Sequence, residues 1–149
     1  LFEPLNRDSG PNAVETRLEL QQLAWMKVGV VRERKGLEEA LSKLEEMAKD
    51  VEPKLAVKTK TRIYNREWIE AIQIKNIIQV MQLVAQASLA REESRGALYR
   101  RDFPKTDNVN WLKNITVQKD GDKTKLTITD VDLKYFKPAR VIRDYGLKE

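Results

Sequence analysis

The sequence predicts an all-α fold: a three-helix bundle of spectrin-repeat-like kind with a C-terminal β-hairpin tail. Three observations carry this. Two long segments repeat apolar residues at helical spacing around a third that is apolar over most of its girth. Asp120-Gly121 separates two alternating segments near the end. The chain has 149 residues, 41% of them hydrophobic and 34% charged, enough for one ordinary core. The division this implies is a bundle over 1–96, with a loop, hairpin and tail over 97–149 packed on the same domain.

Residues 1–12 read as a lead-in rich in turn formers, including Pro4, Gly10 and Pro11. Asn12 can cap a first helix that runs to about Val31. Val14, Leu18, Trp25 and Val28 share one face of it, widened by Leu20, Ala24 and Val31. Leu23, Met26 and Val30 form a second apolar patch, covered either within the domain or by a neighbouring one. Arg32 to Gly36 is a charged connector. In the second helix Leu37, Ala40, Leu41, Leu44, Met47, Ala48 and Val51 line one face, with Glu39–Lys43 and Glu45–Lys49 pairs outside. Pro53 ends it.

A basic stretch follows, with Lys54, Lys58, Lys60, Arg62 and Arg66 and no acid between them. The third helix runs from Arg66 to Arg95, capped by Asn65. Lys75, Gln79, Gln82 and Gln86 form one narrow polar stripe and most of the remaining circumference is apolar, so it reads as the buried central helix. Gly96 is its expected stop, because glycine enters the left-handed conformation without steric cost. Ile115 and Val117 face Leu126 and Ile128 across the hairpin. The end, 135–149, is amphipathic.

Composition closes several routes to catalysis. The chain has no cysteine and no histidine, which removes thiolate nucleophiles, zinc–thiolate sites and any Ser-His-Asp arrangement. Its net charge of +5 is a mild excess with both signs interspersed. No apolar run is long enough for a membrane span. Glu92 and Glu93 are adjacent on a helix and point about 100° apart, so they read as a solvated face rather than a catalytic pair. The basic 54–66 stretch, with Tyr64 and Trp68, lacks any groove-reading motif, so no nucleic-acid partner is expected. The strongest polar cluster is Glu92, Glu93, Ser94, Arg95, Arg100, Arg101 and Asp102. Arginines there could grip an anion, but a loop tied by ion pairs is the plainer reading. The helix end favours cations at that place.

Residues 90–113 read Ala-Arg-Glu-Glu-Ser-Arg-Gly-Ala-Leu-Tyr-Arg-Arg-Asp-Phe-Pro-Lys-Thr-Asp-Asn-Val-Asn-Trp-Leu-Lys. This segment strongly resembles the C-terminal region of succinate dehydrogenase and fumarate reductase flavoprotein subunits. Their pattern there is Glu-Ser-Arg-Gly-Ala-His, then Arg, Asp and Pro, then Asn-Trp-Leu. Residues 25–32, 70–76 and 138–145 resemble further segments of the same subunits. L-aspartate oxidase shares part of the likeness and stands as an alternative, beside a free-standing basic helical binding module. The likeness implies a piece of a larger FAD-dependent succinate/fumarate oxidoreductase. The FAD and the reacting residues would lie in other domains of the parent chain. This piece would be inactive alone, with no catalytic, cofactor or metal residues of its own. It would pack on the parent's FAD domain beside an iron–sulfur subunit. The expected location is cytoplasmic, peripheral on the inner face of the membrane through partner subunits. Arg95, Gly96, Arg100, Asp102 and Trp111 match the motif. The resemblance implies loop shaping and interdomain contacts for them, with Gly96 as helix stop, Trp111 as buried anchor, and Arg95 and Arg100 pairing with another domain. Leu98 stands where the family usually has histidine.

Overall fold

The computed structural model describes residues 1–121, 123–135, 138–139 and 141–144. Arg140 and Tyr145, which carry part of the terminal likeness, lie outside the described residues. Four α-helices occur among them: α1 (Glu3–Asn6), α2 (Ala13–Leu23), α3 (Arg34–Glu46) and α4 (Arg66–Ala90). Six strands form three two-stranded sheets. These are β1 (Val31–Arg32), β2 (Tyr99–Arg100), β3 (Lys105–Asp107), β4 (Lys113–Asp120), β5 (Lys123–Asp130) and β6 (Ile142–Asp144).

The expected all-α class is therefore corrected: helix makes up about 47% and strand 22% of the structure. The added strands are two or three residues long and pair with distant partners. β1 lies parallel to β2, with Val31 opposite Tyr99, and β3 runs antiparallel to β6, with Thr106 opposite Arg143. Strands this short show no alternation of period two, so periodicity cannot reveal them. The hairpin β4–β5 is the one the sequence indicates, with Ile115 opposite Ile128 and Val117 opposite Leu126. Gly121 takes φ +59 in its turn.

The core joins α2, α3 and α4. On α3, Leu37, Ala40 and Leu44 are fully buried, as is Met47 just after it, along the face the spacing predicts. A widened turn, Met47–Val51, and a 3₁₀ turn, Glu52–Lys54, carry this helix through Pro53 before it ends. Glu45 pairs with Lys49 at 2.6 Å. Glu39 instead reaches Lys27 at 2.6 Å, which binds α3 to the turn that follows α2.

α2 and the turn after it bury only part of the face expected, Leu20 and Val28. Ala13, Thr16 and Leu20 point inward, whereas Val14, Leu18 and Trp25 are exposed. Apolar residues surround this helix on both sides, so hydrophobicity alone does not choose a face. Ala13 and Thr16 are small enough for neighbours to approach, and the Thr16 hydroxyl donates to Asn12 O at 2.8 Å. Asn12 Oδ1 caps the helix, accepting from Val14 N at 2.8 Å and Glu15 N at 3.3 Å. A π-type turn, Ala24–Val28, extends the helix and brings Val28 into the core.

α4 is central but not buried all round: Ile74 and Ile78 face the core, while Ile69 and Val80 are exposed. It ends at Ala90, five residues before the expected stop at Arg95. Residues 1–12 fold back over its start, where Phe2 meets Trp68 with ring centroids 5.4 Å apart. No helix among the described residues is long and apolar enough to cross a membrane.

Candidate functional site

The loop after α4 holds the sequence's strongest motif, and its polar side chains are buried. Glu93, Ser94 and Arg100 have no exposed surface. A guanidinium in that position needs compensation for every donor it takes from water. Arg100 finds it at the end of α4, where helix carbonyls lack partners. Its Nη1 donates to Ser88 O, to Arg91 O at 2.9 Å and to Leu89 O at 3.4 Å. Its other nitrogens form a fork onto Asp102, Nε to Oδ1 at 2.8 Å and Nη2 to Oδ2 at 2.6 Å. The negative end of the helix dipole favours a cation here, and the cation is Arg100.

Asp102 links two helices. Its Oδ2 also accepts from Arg34 N at 3.1 Å, at the start of α3, where Glu33 supplies no side-chain cap. A carboxylate there satisfies an orphan N–H and faces the positive end of the helix dipole. The hydrogen bond from Arg100 holds the Asp102 carboxyl below its ordinary range. Arg32 approaches from β1, donating from Nη1 to Ser88 Oγ at 2.5 Å. Burial, then the nearby Arg100 charge, lower its pKa.

A second knot centres on Glu93. Its Oε1 accepts from Arg91 Nη1 at 2.5 Å and Arg95 Nε at 2.7 Å. Its Oε2 accepts from Arg95 Nη2 at 3.0 Å and Asp107 N at 2.9 Å. This corrects the reading of Glu93 as part of a solvated face. That reading assumes helix through residue 95, and the chain has already left the helix at Arg91. Arg95 Nη2 continues to Asn108 Oδ1 at 2.7 Å. Arg91 also donates to Trp111 O at 3.2 Å and Lys113 O at 2.7 Å, and lies over the Trp111 ring at 5.5 Å. Ser94 joins the two knots: its hydroxyl donates to Phe103 O at 2.7 Å and accepts from Arg100 N at 2.8 Å.

The predicted residues thus share one loop but not one pocket. Arg100, expected to pair with another domain, is wholly buried and bonded within this one: it and Asp102 bind the ends of α4 and α3, while Arg95 and, through Arg91, Trp111 gather about Glu93. Gly96 does not end the helix. It sits at φ +58 in a turn closed by Arg95 N to Leu98 O at 2.8 Å and Leu98 N to Arg95 O at 3.1 Å. Trp111 is half-buried rather than an enclosed anchor. Sequence reasoning does not select Arg91, Arg32 or Asn108. Nothing in their spacing marks them, because their partners are backbone carbonyls and side chains from distant elements.

Chemically, this arrangement fixes backbone. The donors of Arg91, Arg95 and Arg100 are engaged by protein acceptors, which argues against an open anion grip. The described residues contain no group of three or more Asp or Glu side chains that could hold a metal ion. They also do not fit a flavin. No glycine-rich turn opens a helix toward a diphosphate, and the loop's polar side chains already have internal partners.

Residues 17–145 match the family model described as fumarate reductase flavoprotein C-term. Over 147 residues the chain is 31% identical to a fumarate reductase flavoprotein subunit of Helicobacter pylori, covering 97% of this chain and 20% of that protein. It is also 31% identical, over 121 residues, to a succinate dehydrogenase flavoprotein subunit of Coxiella burnetii, covering 78% of this chain and 20% of that protein. A solved structure of E. coli quinol fumarate reductase, FrdA with a mutation, superposes with TM-score 0.81 at 26% identity, covering 93% of this chain and 24% of its own. The Mycobacterium smegmatis Sdh1 complex in the apo form gives 0.75 at 29% identity, with 84% and 21% covered. The chain spans about a fifth of the length of the curated relatives it matches. These likenesses favour the flavoprotein reading over L-aspartate oxidase or a free-standing module. The chain belongs to the fumarate reductase flavoprotein C-terminal family and corresponds to the C-terminal domain of a succinate dehydrogenase/fumarate reductase flavoprotein subunit.

Proposed function

We propose that this domain buttresses an FAD-dependent succinate/fumarate oxidoreductase by packing on the FAD domain of its parent chain. The FAD and the groups that bind and protonate substrate belong to the parent's other domains. Electrons pass to an iron–sulfur subunit, and attachment to the cytoplasmic face of the membrane runs through partner subunits. Nucleic acid has no part in this reading. Within the domain, Arg100, Asp102, Gly96 and Trp111 shape the loop after α4. Arg95, whose side chain is partly exposed, is the interdomain contact.

The observation that carries the proposal is an apolar patch at the turn between α2 and α3. Trp25 is 82% exposed, Met26 65% and Val30 62%, with Val31 beside them. They line an open hollow with Arg32, Gly36 and Arg101. Monomeric surfaces rarely leave such residues contiguous and uncovered. Arg32 and β1 tie this hollow directly to the Arg100 knot, so a partner seated there rests on rigid backbone.

The test is deletion of this domain from the complete flavoprotein, with flavin content and dye-linked fumarate reduction as readouts. Loss of retained flavin and activity is expected, and Trp25→Asp in the full protein should weaken flavin retention in the same direction. Full activity without the domain would sink the proposal, as would flavin binding by the isolated 149-residue chain.

A further inference from the structure

The loop between α3 and α4 has a feature that buttressing does not use. Tyr64 is fully exposed and sits at φ +50, a conformation bulky L residues rarely adopt. Ile63 beside it is 72% exposed. The backbone around them is pinned. Asn65, almost wholly buried, donates its amide to Thr59 O at 2.6 Å and Thr61 O at 2.9 Å, and its Oδ1 accepts from Trp68 N at 3.0 Å. Glu67 Oε2 accepts from Lys58 N at 3.0 Å and Thr59 N at 3.3 Å. The Lys60 ammonium donates to Arg7 O, and Arg62 lies 4.8 Å over the Phe2 ring.

The loop's own charges have one sign. Lys58, Lys60, Arg62 and Arg66 occur with no acid from Pro53 to Arg66. Outside the loop, Glu67 and Glu70 lie on α4, and Glu3 and Asp8 adjoin Phe2 and Arg7, which Arg62 and Lys60 touch. Glu67 binds the loop's own backbone, and Glu70 accepts from Arg66 Nε at 3.1 Å.

We propose that this loop docks an acidic surface of another protein subunit in the parent's complex, with Tyr64 as the anchoring ring. The proposal rests on the reading that the parent is such an oxidoreductase. Strained backbone held by surrounding bonds marks a conformation kept for a purpose. A tyrosine fixed in one direction loses little freedom on binding, and tyrosines are prominent among residues that dominate interfaces. The surrounding cations favour encounter with an acidic partner and penalise a basic one. A lipid surface would also accept a ring among cations, but a fluid surface makes no demand for a fixed backbone. Base stacking uses successive rings along a groove, and the loop's own residues offer one.

The experiment uses the complete flavoprotein co-expressed with its partner subunits. A benzophenone amino acid replaces Tyr64, the complex is irradiated, and the linked peptide is sequenced. The expected product joins residue 64 to an Asp/Glu-rich segment of a non-flavoprotein subunit of the complex. Linkage only to the flavoprotein itself, to lipid, or to nothing overturns the proposal. Tyr64→Gly is the second arm. Glycine relieves the backbone strain, so thermal stability should hold or rise, while partner co-purification falls about tenfold or more. Unchanged co-purification overturns the proposal, as does a loss of stability that accounts for the fall. Flavin content and dye-linked fumarate reduction of the unsubstituted protein are read in parallel. Their absence would refute the parent's proposed activity, whereas their presence with unaltered partner retention would refute the docking role alone.

Discussion

Arg100, itself without exposed surface, donates to three carbonyls at the end of α4 and to the partly exposed carboxylate of Asp102. Removing the side chain takes the donor from those carbonyls and leaves Asp102 with Arg34 N and water, so Arg100→Ala should cost about 3 kcal/mol in urea unfolding. Arg100→Lys should recover little of this, because an ammonium cannot fork onto Asp102 while reaching the helix carbonyls. Asp102 gives the domain a pH dependence of definite sign. The hydrogen bond from Arg100 depresses its folded pKa. Its contribution is therefore complete above the ordinary aspartate value, near ~3.9, and is lost as pH falls through the lower folded value. The urea midpoint should drop more steeply on acidification in the unsubstituted chain than in Asp102→Asn. Gly96 offers a cleaner backbone test. A Cβ there meets no atom within 4 Å, so Gly96→Ala should cost only the left-handed penalty, about 1–2 kcal/mol, read as a lower Tm. Arg100 and Asp102 are legible in the sequence as members of a recurring motif, not as partners. Their spacing of two residues says nothing about a helix end that begins at Ser88. Glu93 is misplaced by the sequence for a related reason: periodicity sets it on a helix that stops three residues earlier.

At the scale of elements, α3 and α2 form a natural contrast. The apolar residues of α3 repeat on one side only, and the buried face follows. Those of α2 occupy two sides, and small side chains at Ala13 and Thr16 decide the outcome by letting neighbours close in. The assignment is checked by paired substitutions measured by urea unfolding. Leu44→Ala, from the fully buried face of α3, should cost about 2–5 kcal/mol. Leu18→Ala, on the exposed side of α2, should change stability by no more than about 0.5 kcal/mol. Equal costs would restore the face that periodicity suggests. The hairpin is readable because Asp120-Gly121 sits between alternating segments. β1 with β2, and β3 with β6, are not, because two or three residues of backbone pairing leave no mark on side-chain order.

Across the whole molecule, polar knots and apolar core are spatially sorted. The core lies among α2, α3 and α4, and the knots close one end of it where β1 meets β2. The patch at Trp25 lies beside that closed end. In isolation this patch should drive the 149-residue chain to self-associate with concentration. Sedimentation should show Trp25→Ser shifting the chain toward monomer with its helical circular dichroism unchanged. An unsubstituted chain that stays monomeric throughout would show the patch too small to act as an interface by itself.

The pairing of β1 with β2 bears on synthesis as well as stability. Val31 pairs with Tyr99, 68 positions later, so on the ribosome the first strand waits for the second. At translation rates of about 5–20 residues per second, that wait is roughly 3–14 s. Throughout it Val30 and Arg32 present unpaired carbonyls next to bare tryptophan and valine, a combination that invites edge-to-edge association. The nascent chain is thus most vulnerable after α3 has formed and before residue 101 has left the exit tunnel. A premature stop anywhere in between fixes it in that state, making such truncation products ready clients for chaperones and proteases.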